Sequence, residues 1–309
     1  MVDHSGAPSA LLRRVRFMIR SLAPALFVFC WSTAFIVARA AAPHADVQLF
    51  LLCRFASVTV LLGIAAAAAG ARWPSPHNLA QHVAAGAVMM GLYLTLSFWA
   101  IAHGLPAGIM ALMGALQPLF TAALMLSHGR GRPSMSMWLG LLVGFFGVVL
   151  VLLPRLVQGA FAPSSFAYVA AGLLSIVALT VGTLAQRRLG SDDLRAAGCL
   201  QNFGAAIVAV LATCSVGTMR WDGSLVLWGT LLWAVLISSI VAQGLLMWMM
   251  RRGDPTRVTA LMLLVPPLAA ILAYILFDET LTPLQFAGFA LALAGVMIAR
   301  RVTSYQAMQ

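Results

Sequence analysis

The chain has 309 residues, of which 62% are hydrophobic and 9% charged, with a mean hydropathy of +0.96. A soluble domain carries nearer a quarter charged residues, so the composition excludes a water-soluble globular protein and indicates a polytopic membrane protein. Net charge is +11, yet all 19 basic residues are arginines in short clusters between apolar runs, a pattern of membrane topology and not of nucleic-acid binding.

Residues 1–20 are polar and then basic (Arg13, Arg14, Arg16, Arg20) and read as a cytoplasmic tail, disordered at its start. The apolar run Leu22–Ala38 is longer than a secretory signal core and has a counterpart later in the chain. It is therefore expected to remain as the first spanning helix. Ten spans are predicted, at about 21–39, 47–69, 79–101, 105–127, 135–153, 164–186, 194–216, 224–249, 256–277 and 283–299. Roughly twenty residues at about 1.5 Å rise each match a hydrocarbon core of about 30 Å. Connections are short and rich in Pro, Gly and His, and residues 302–309 form a C-terminal tail. Cys30, Cys53, Cys199 and Cys214 lie inside apolar runs without CxxC spacing, so neither a disulfide framework nor a metal site is expected, and no cofactor.

With the N-terminus cytoplasmic, fifteen arginines fall on cytoplasmic segments and three (Arg39, Arg155, Arg220) on the other side. The positive-inside rule then puts both termini inside.

The chain repeats itself. Gly104, Pro106 and Pro118 align with Gly253, Pro255 and Pro267 at a shift of 149; Ser32, Gly140 and Gly147 align with Thr180, Gly288 and Gly295 at 148. The expected units are a first five-helix repeat over 21–153 and a second over 164–301. Five is odd, so the second copy enters the membrane from the opposite side. The fold class is all-α polytopic, with two inverted repeats around a shared midplane cavity.

Several features together resemble the EamA-type, ten-helix members of the drug/metabolite transporter superfamily, from about Ala23 to Arg301. They are Cys30-Trp31-Ser32 in the first span, Arg54-Phe55 in the second, and the two Pro-interrupted helix pairs ending in Gly140…Gly147 and Gly288…Gly295. Asp278-Glu279 is similar to the family's acidic turn after the ninth helix, whereas the first copy has Gly129-Arg130 there. The resemblance implies export or exchange of small metabolites, often amino acids or amphipathic compounds, across the bacterial inner membrane.

Pro118 and Pro267 each remove a backbone donor, freeing the carbonyls of Gly114 and Leu263 for a packing kink, a gate hinge or a substrate path. Gln117 beside the first kink either glues helices or meets a substrate head group. Arg54 lies about seven residues into its span, so it must pair, face water or snorkel outward. Asp46 and Asp278 are the nearest acids by depth; a substrate carboxylate is the other reading. Ser239 and Gln243 share a face of the eighth span, and Tyr93 and Ser97 a face of the third. Thr180 and Thr183 lie on neighbouring turns of the sixth span, and Trp31 is central in the first. These faces are read as lining a cavity of mixed polarity rather than as helix glue alone. His103 is expected to be solvated, and the lack of an acid inside any span weakens tight proton coupling.

The function expected is secondary transport by alternating access, with a small-molecule substrate, the bilayer as environment and no nucleic-acid partner. There is no P-loop and no lysine, which excludes ATP-driven transport by this polypeptide alone. The alternatives are an intramembrane lipid-modifying enzyme, for which no HExxH, GxSxG or span-embedded carboxylate pair is present, and a membrane scaffold subunit.

Overall fold

A computed structural model describes residues 7–117, 120–121, 124, 135–158, 163–186, 189, 192–252 and 261–306. Among these residues the chain is helical, with one isolated antiparallel bridge between Ala45 and Trp221. Six helical stretches are long and apolar enough to cross a membrane: Leu22–Ala41, Val47–Ala68, Pro76–Ala102, Phe166–Gln186, Leu194–Val216 and Leu225–Leu246. They are the first, second, third, sixth, seventh and eighth spans. The fifth and tenth lie in helices Met135–Gln158 and Pro283–Gln306. The fourth begins as Ala107–Ala115, and the ninth ends as Val265–Phe277.

Helix boundaries depart from expectation at both ends of the chain. The first helix is 35 residues, Ala7–Ala41, so most of the expected tail is helical. Ala7 to Met18 contains good helix formers and only one early proline, so nothing ends the helix before the bilayer. At about 1.5 Å per residue it exceeds the hydrocarbon core by many residues. The last helix likewise runs past Arg301 to Gln306.

Pairing between helices follows the duplication: second with seventh, fourth with ninth, fifth with tenth. The third span meets the sixth and the first meets the eighth, which are the same contact exchanged between copies. Close approach depends on small residues, as expected where lipid supplies no driving force for helix association. A Cβ on Gly295 would collide with the backbone of Gly144, and one on Gly147 with that of Ala292. The glycines that mark both copies are therefore the surfaces on which the fifth and tenth spans meet. Gly86 against Gln201 and Gly204 against Val83 do the same for the third and seventh. Large apolar side chains point outward, among them Val60, Ile64, Phe145, Leu211, Ile275 and Phe286, while Phe27, Phe50, Phe55 and Phe98 fill the interior. So extensive an apolar exterior is stable only against lipid.

The third and eighth spans contain a feature absent from the sequence reading. Ala87–Leu92 and Ala234–Val241, matched across the repeats, are π-helical. Each gives one extra residue per turn to the middle of a span, a geometry found frequently at functional sites.

Candidate functional site

Arg54 enters the interior from the second span, about 10 Å below its end. Its side chain is 3% exposed, so it does not snorkel. Nε donates to Ser239 Oγ at 3.0 Å, and that hydroxyl donates at 3.0 Å to the Ala234 carbonyl five residues earlier. Tyr93, the first residue after the π-turn of the third span, lies in the neighbourhood of the guanidinium. Second, third and eighth spans thus meet at one arginine.

The expected acidic partners of Arg54 are occupied elsewhere, which corrects that part of the sequence reading. Asp46 is the N-cap of the second span, accepting from the Gln48 amide and from the amide and hydroxyl of Thr218. Asp278 is the left-handed C-cap residue of Val265–Phe277 and is exposed. Capping bonds hold both at the membrane end, away from the depth of Arg54.

A second polar contact joins the fourth and sixth spans: Gln117 Nε2 donates to Thr183 Oγ1 at 3.2 Å. The matching pair of spans, the first and ninth, is joined by different residues: Ser32 Oγ donates at 3.2 Å to the carbonyl of Val265. The ninth span is broken there rather than bent. Met262–Leu264 is a 3-10 turn whose tightening lets the Val265 amide reach the Met262 carbonyl, and Pro266 and Pro267 open a new helix. At a helix start the missing proline donors cost little. Pro118, the matching residue of the fourth span, lies outside the described residues.

The remaining sequence-predicted residues divide. Gln243 is half-buried, two residues past the second π-turn, and its side chain makes no hydrogen bond among the described residues. Trp31 is half-buried with its ring 5.4 Å from that of Phe27. Thr180 and Ser97 are buried and spend their hydroxyls on their own helices, at Ile176 and Leu94. Two further groups were overlooked. Trp233 Nε1 donates to Thr33 Oγ1 at 3.0 Å, tying the eighth span to the first, and Ser238 carries a buried hydroxyl without a hydrogen-bond partner. The adjacent Ser238-Ser239 pair was the available signal, but helical periodicity does not distinguish a π-turn. Among the described residues no three His, Cys, Asp or Glu side chains converge on a metal-sized site.

The family model described as the EamA-like transporter family matches residues 21–153 and 165–301. A probable terminal-alkyne amino-acid exporter of Streptantibioticus cattleyicolor is 28% identical over 298 residues, 90% of this chain and 92% of that one. A probable amino-acid metabolite efflux pump of Escherichia coli K12 is 26% identical over 229 residues, 68% of this chain and 75% of the pump. A solved crystal structure superposes with a TM-score of 0.62 at 20% identity, covering 91% of this chain and 97% of that one, a likeness of fold.

Proposed function

We infer the function from one premise: the chain belongs to the EamA-like transporter family. It is a multi-pass membrane protein and a small-metabolite exporter of the drug/metabolite transporter type. The finer reading is a bacterial inner-membrane exporter of amino acids or amino-acid-like compounds, both termini cytoplasmic, working by alternating access. The relatives' names support the substrate class, and the arginine distribution supports the orientation.

One observation carries the mechanism: helical interruptions occur at matched positions in the two copies. The third and eighth spans loosen into π-turns, and the ninth breaks at Pro266-Pro267 where the fourth carries Pro118. Breaks near the midplane let one half of a span move while the other stays packed. Inverted copies then supply one such gate toward each side. Substrate would lie between Arg54, Tyr93, Ser239 and Gln243 on one wall and Gln117 and Thr183 on the other. Trp31, Ser97 and Thr180 would complete the cavity lining, and Pro118 and Pro267 would be the hinges.

Transport into proteoliposomes containing only this chain tests the reading. Tyr93→Ala and Gln243→Ala should reduce substrate flux without lowering the amount of folded protein. Wild-type flux in both would remove them from the site. Epitope tags on opposite faces of the membrane would break the inverted-repeat arrangement itself.

A further inference from the structure

We propose that Arg54 is the receptor for the carboxylate of the exported compound, in a subsite completed by Ser238, Ser239 and Tyr93; this rests on the exporter reading above. The observation is an unbalanced charge. Arg54 Nη1 is fully enclosed, and among the described residues it has no hydrogen-bond partner and the guanidinium no ion pair. None of the eight acidic residues of the chain falls inside a span. An enclosed cation left without a counter-charge is strongly destabilising, so an anion has to reach it in at least one state of the working cycle.

The geometry selects the kind of anion. Ser239 fixes the guanidinium through Nε and leaves its far edge unused. That edge offers paired N–H donors at the spacing of a carboxylate, which a lysine does not supply. Next to Ser239 in the chain, Ser238 Oγ is buried and also lacks a partner, a further donor available to an anionic oxygen. The π-turn of the eighth span contains both serines, and the π-turn of the third ends at Tyr93. The same irregular geometry that loosens these spans therefore brings donors to the cation. An alternating-access protein gains from such a site: a charge compensated only when substrate is bound links occupancy to conformational change.

The test uses purified full-length protein and three probes of one compound set: neutral L-amino acids (including L-propargylglycine), their methyl esters and their amides. Thermal stabilisation in detergent reports binding, and counterflow in proteoliposomes reports transport. Free acids should stabilise and exchange in the wild type while esters and amides do neither. Arg54→Gln should weaken the response to the free acid by about 10- to 150-fold, the range for hydrogen bonds to a charged group. If Arg54→Gln does not fold, Arg54→Lys, which keeps the charge and loses the fork, and Ser238→Ala should each weaken it by a smaller factor. Esters handled as well as acids, or variants that respond to acids like the wild type, would overturn the carboxylate subsite while leaving the exporter intact. Chloride or sulfate stabilising the wild type as fully as the acids, at equal ionic strength, would reassign the site to an inorganic anion and equally overturn it. A folded wild type that binds free acids through Arg54 and moves none of them would uphold the subsite and sink the exporter reading.

Discussion

The two ends of the molecule occupy repeat-matched positions and are built differently. At one end, residues 42–46, between the first and second spans, run antiparallel to 217–224, between the seventh and eighth. The Asp46 amide donates to the Arg220 carbonyl at 2.8 Å and the Asp222 amide to that of His44 at 3.0 Å, flanking the Ala45–Trp221 bridge. His44 Nδ1 lies 2.6 Å from Asp222, and Arg220 donates to the Ala42 carbonyl. Nearby, Glu279 lies 3.4 Å from Arg39 and accepts from the Ala107 amide at 3.1 Å. At the other end, His82 Nε2 lies 2.8 Å from Asp192, with Gln201 at 3.5 Å from Nδ1. His44 and Asp192 coincide at the repeat shift of 148, whereas their partners Asp222 and His82 do not, so each end joins the copies through a His–Asp contact that shares one matched position. The first lies near the surface, whereas His82 is buried among the third and seventh spans. Duplication reproduced only one side of the contact; each face then acquired its own chemistry, because one copy faces out where the other faces in.

If the 42–46 and 217–224 segments form a gate, tying them together should abolish transport. Ala45 and Trp221 form a non-hydrogen-bonded pair, with Cα atoms expected about 4.5 Å apart, within disulfide reach. Ala45→Cys with Trp221→Cys, in a background whose four native cysteines are replaced, should stop counterflow on oxidation and recover it on reduction. Continued transport by the cross-linked protein would mean that this end never opens.

A smaller effect compares the helix caps. Asp46 caps the second span and Asp193 the seventh, each accepting from the amide two residues on. Asp46 also holds Thr218 across the copies, whereas Asp193 bonds only to its neighbour Arg195 among side chains. Asp46→Ala should cost about 1–2 kcal/mol and Asp193→Ala about 0.5 kcal/mol, read as thermal melts in detergent. Equal losses would mean that the contact across the copies adds nothing.

The smallest effect is on pH dependence. Burial pushes the Asp46 carboxyl up, but the Gln48 amide and Thr218 outweigh it and leave the group below its ordinary value of 3.8. The Ser224 amide and His44 hold Asp222 low as well. A carboxyl depressed on folding contributes stability above its unfolded value and loses it as pH falls through the folded one. The melting-temperature gap between wild type and Asp46→Asn, about 2–4 °C for about 1 kcal/mol, should stay constant from about pH 7 to 5 and close below about pH 4. A gap unchanged below about pH 4 would mean that the charge on Asp46 contributes nothing.

Span number, the doubling and the glycine marks were legible in the sequence because each depends on local composition or on spacing that survives duplication. Gly147 and Gly295 were recognised as matched residues, but only packing revealed that they belong to one interface. Arg54 announced itself by its cost at that depth. Its contact with Ser239 joins residues 185 apart, and no periodicity encodes such a distance. The π-turns escaped for a related reason: a single inserted residue leaves hydropathy unchanged and alters only which side chains face inward. The bonds of Ser97 and Thr180 to their own helices are likewise not encoded by the face each residue occupies.

By itself, then, the sequence determined that this chain resides in a membrane, how many times it crosses and that its second half inverts its first. Those properties follow from hydrophobic length and the parity of a repeat, both additive along the chain. Tertiary structure alone decided which acids cap helices and which cation is left unbalanced, and that the copies are stitched by different chemistry at each end. Hydrogen bonding is directional and each donor is spent once, so its outcome depends on how all the spans pack.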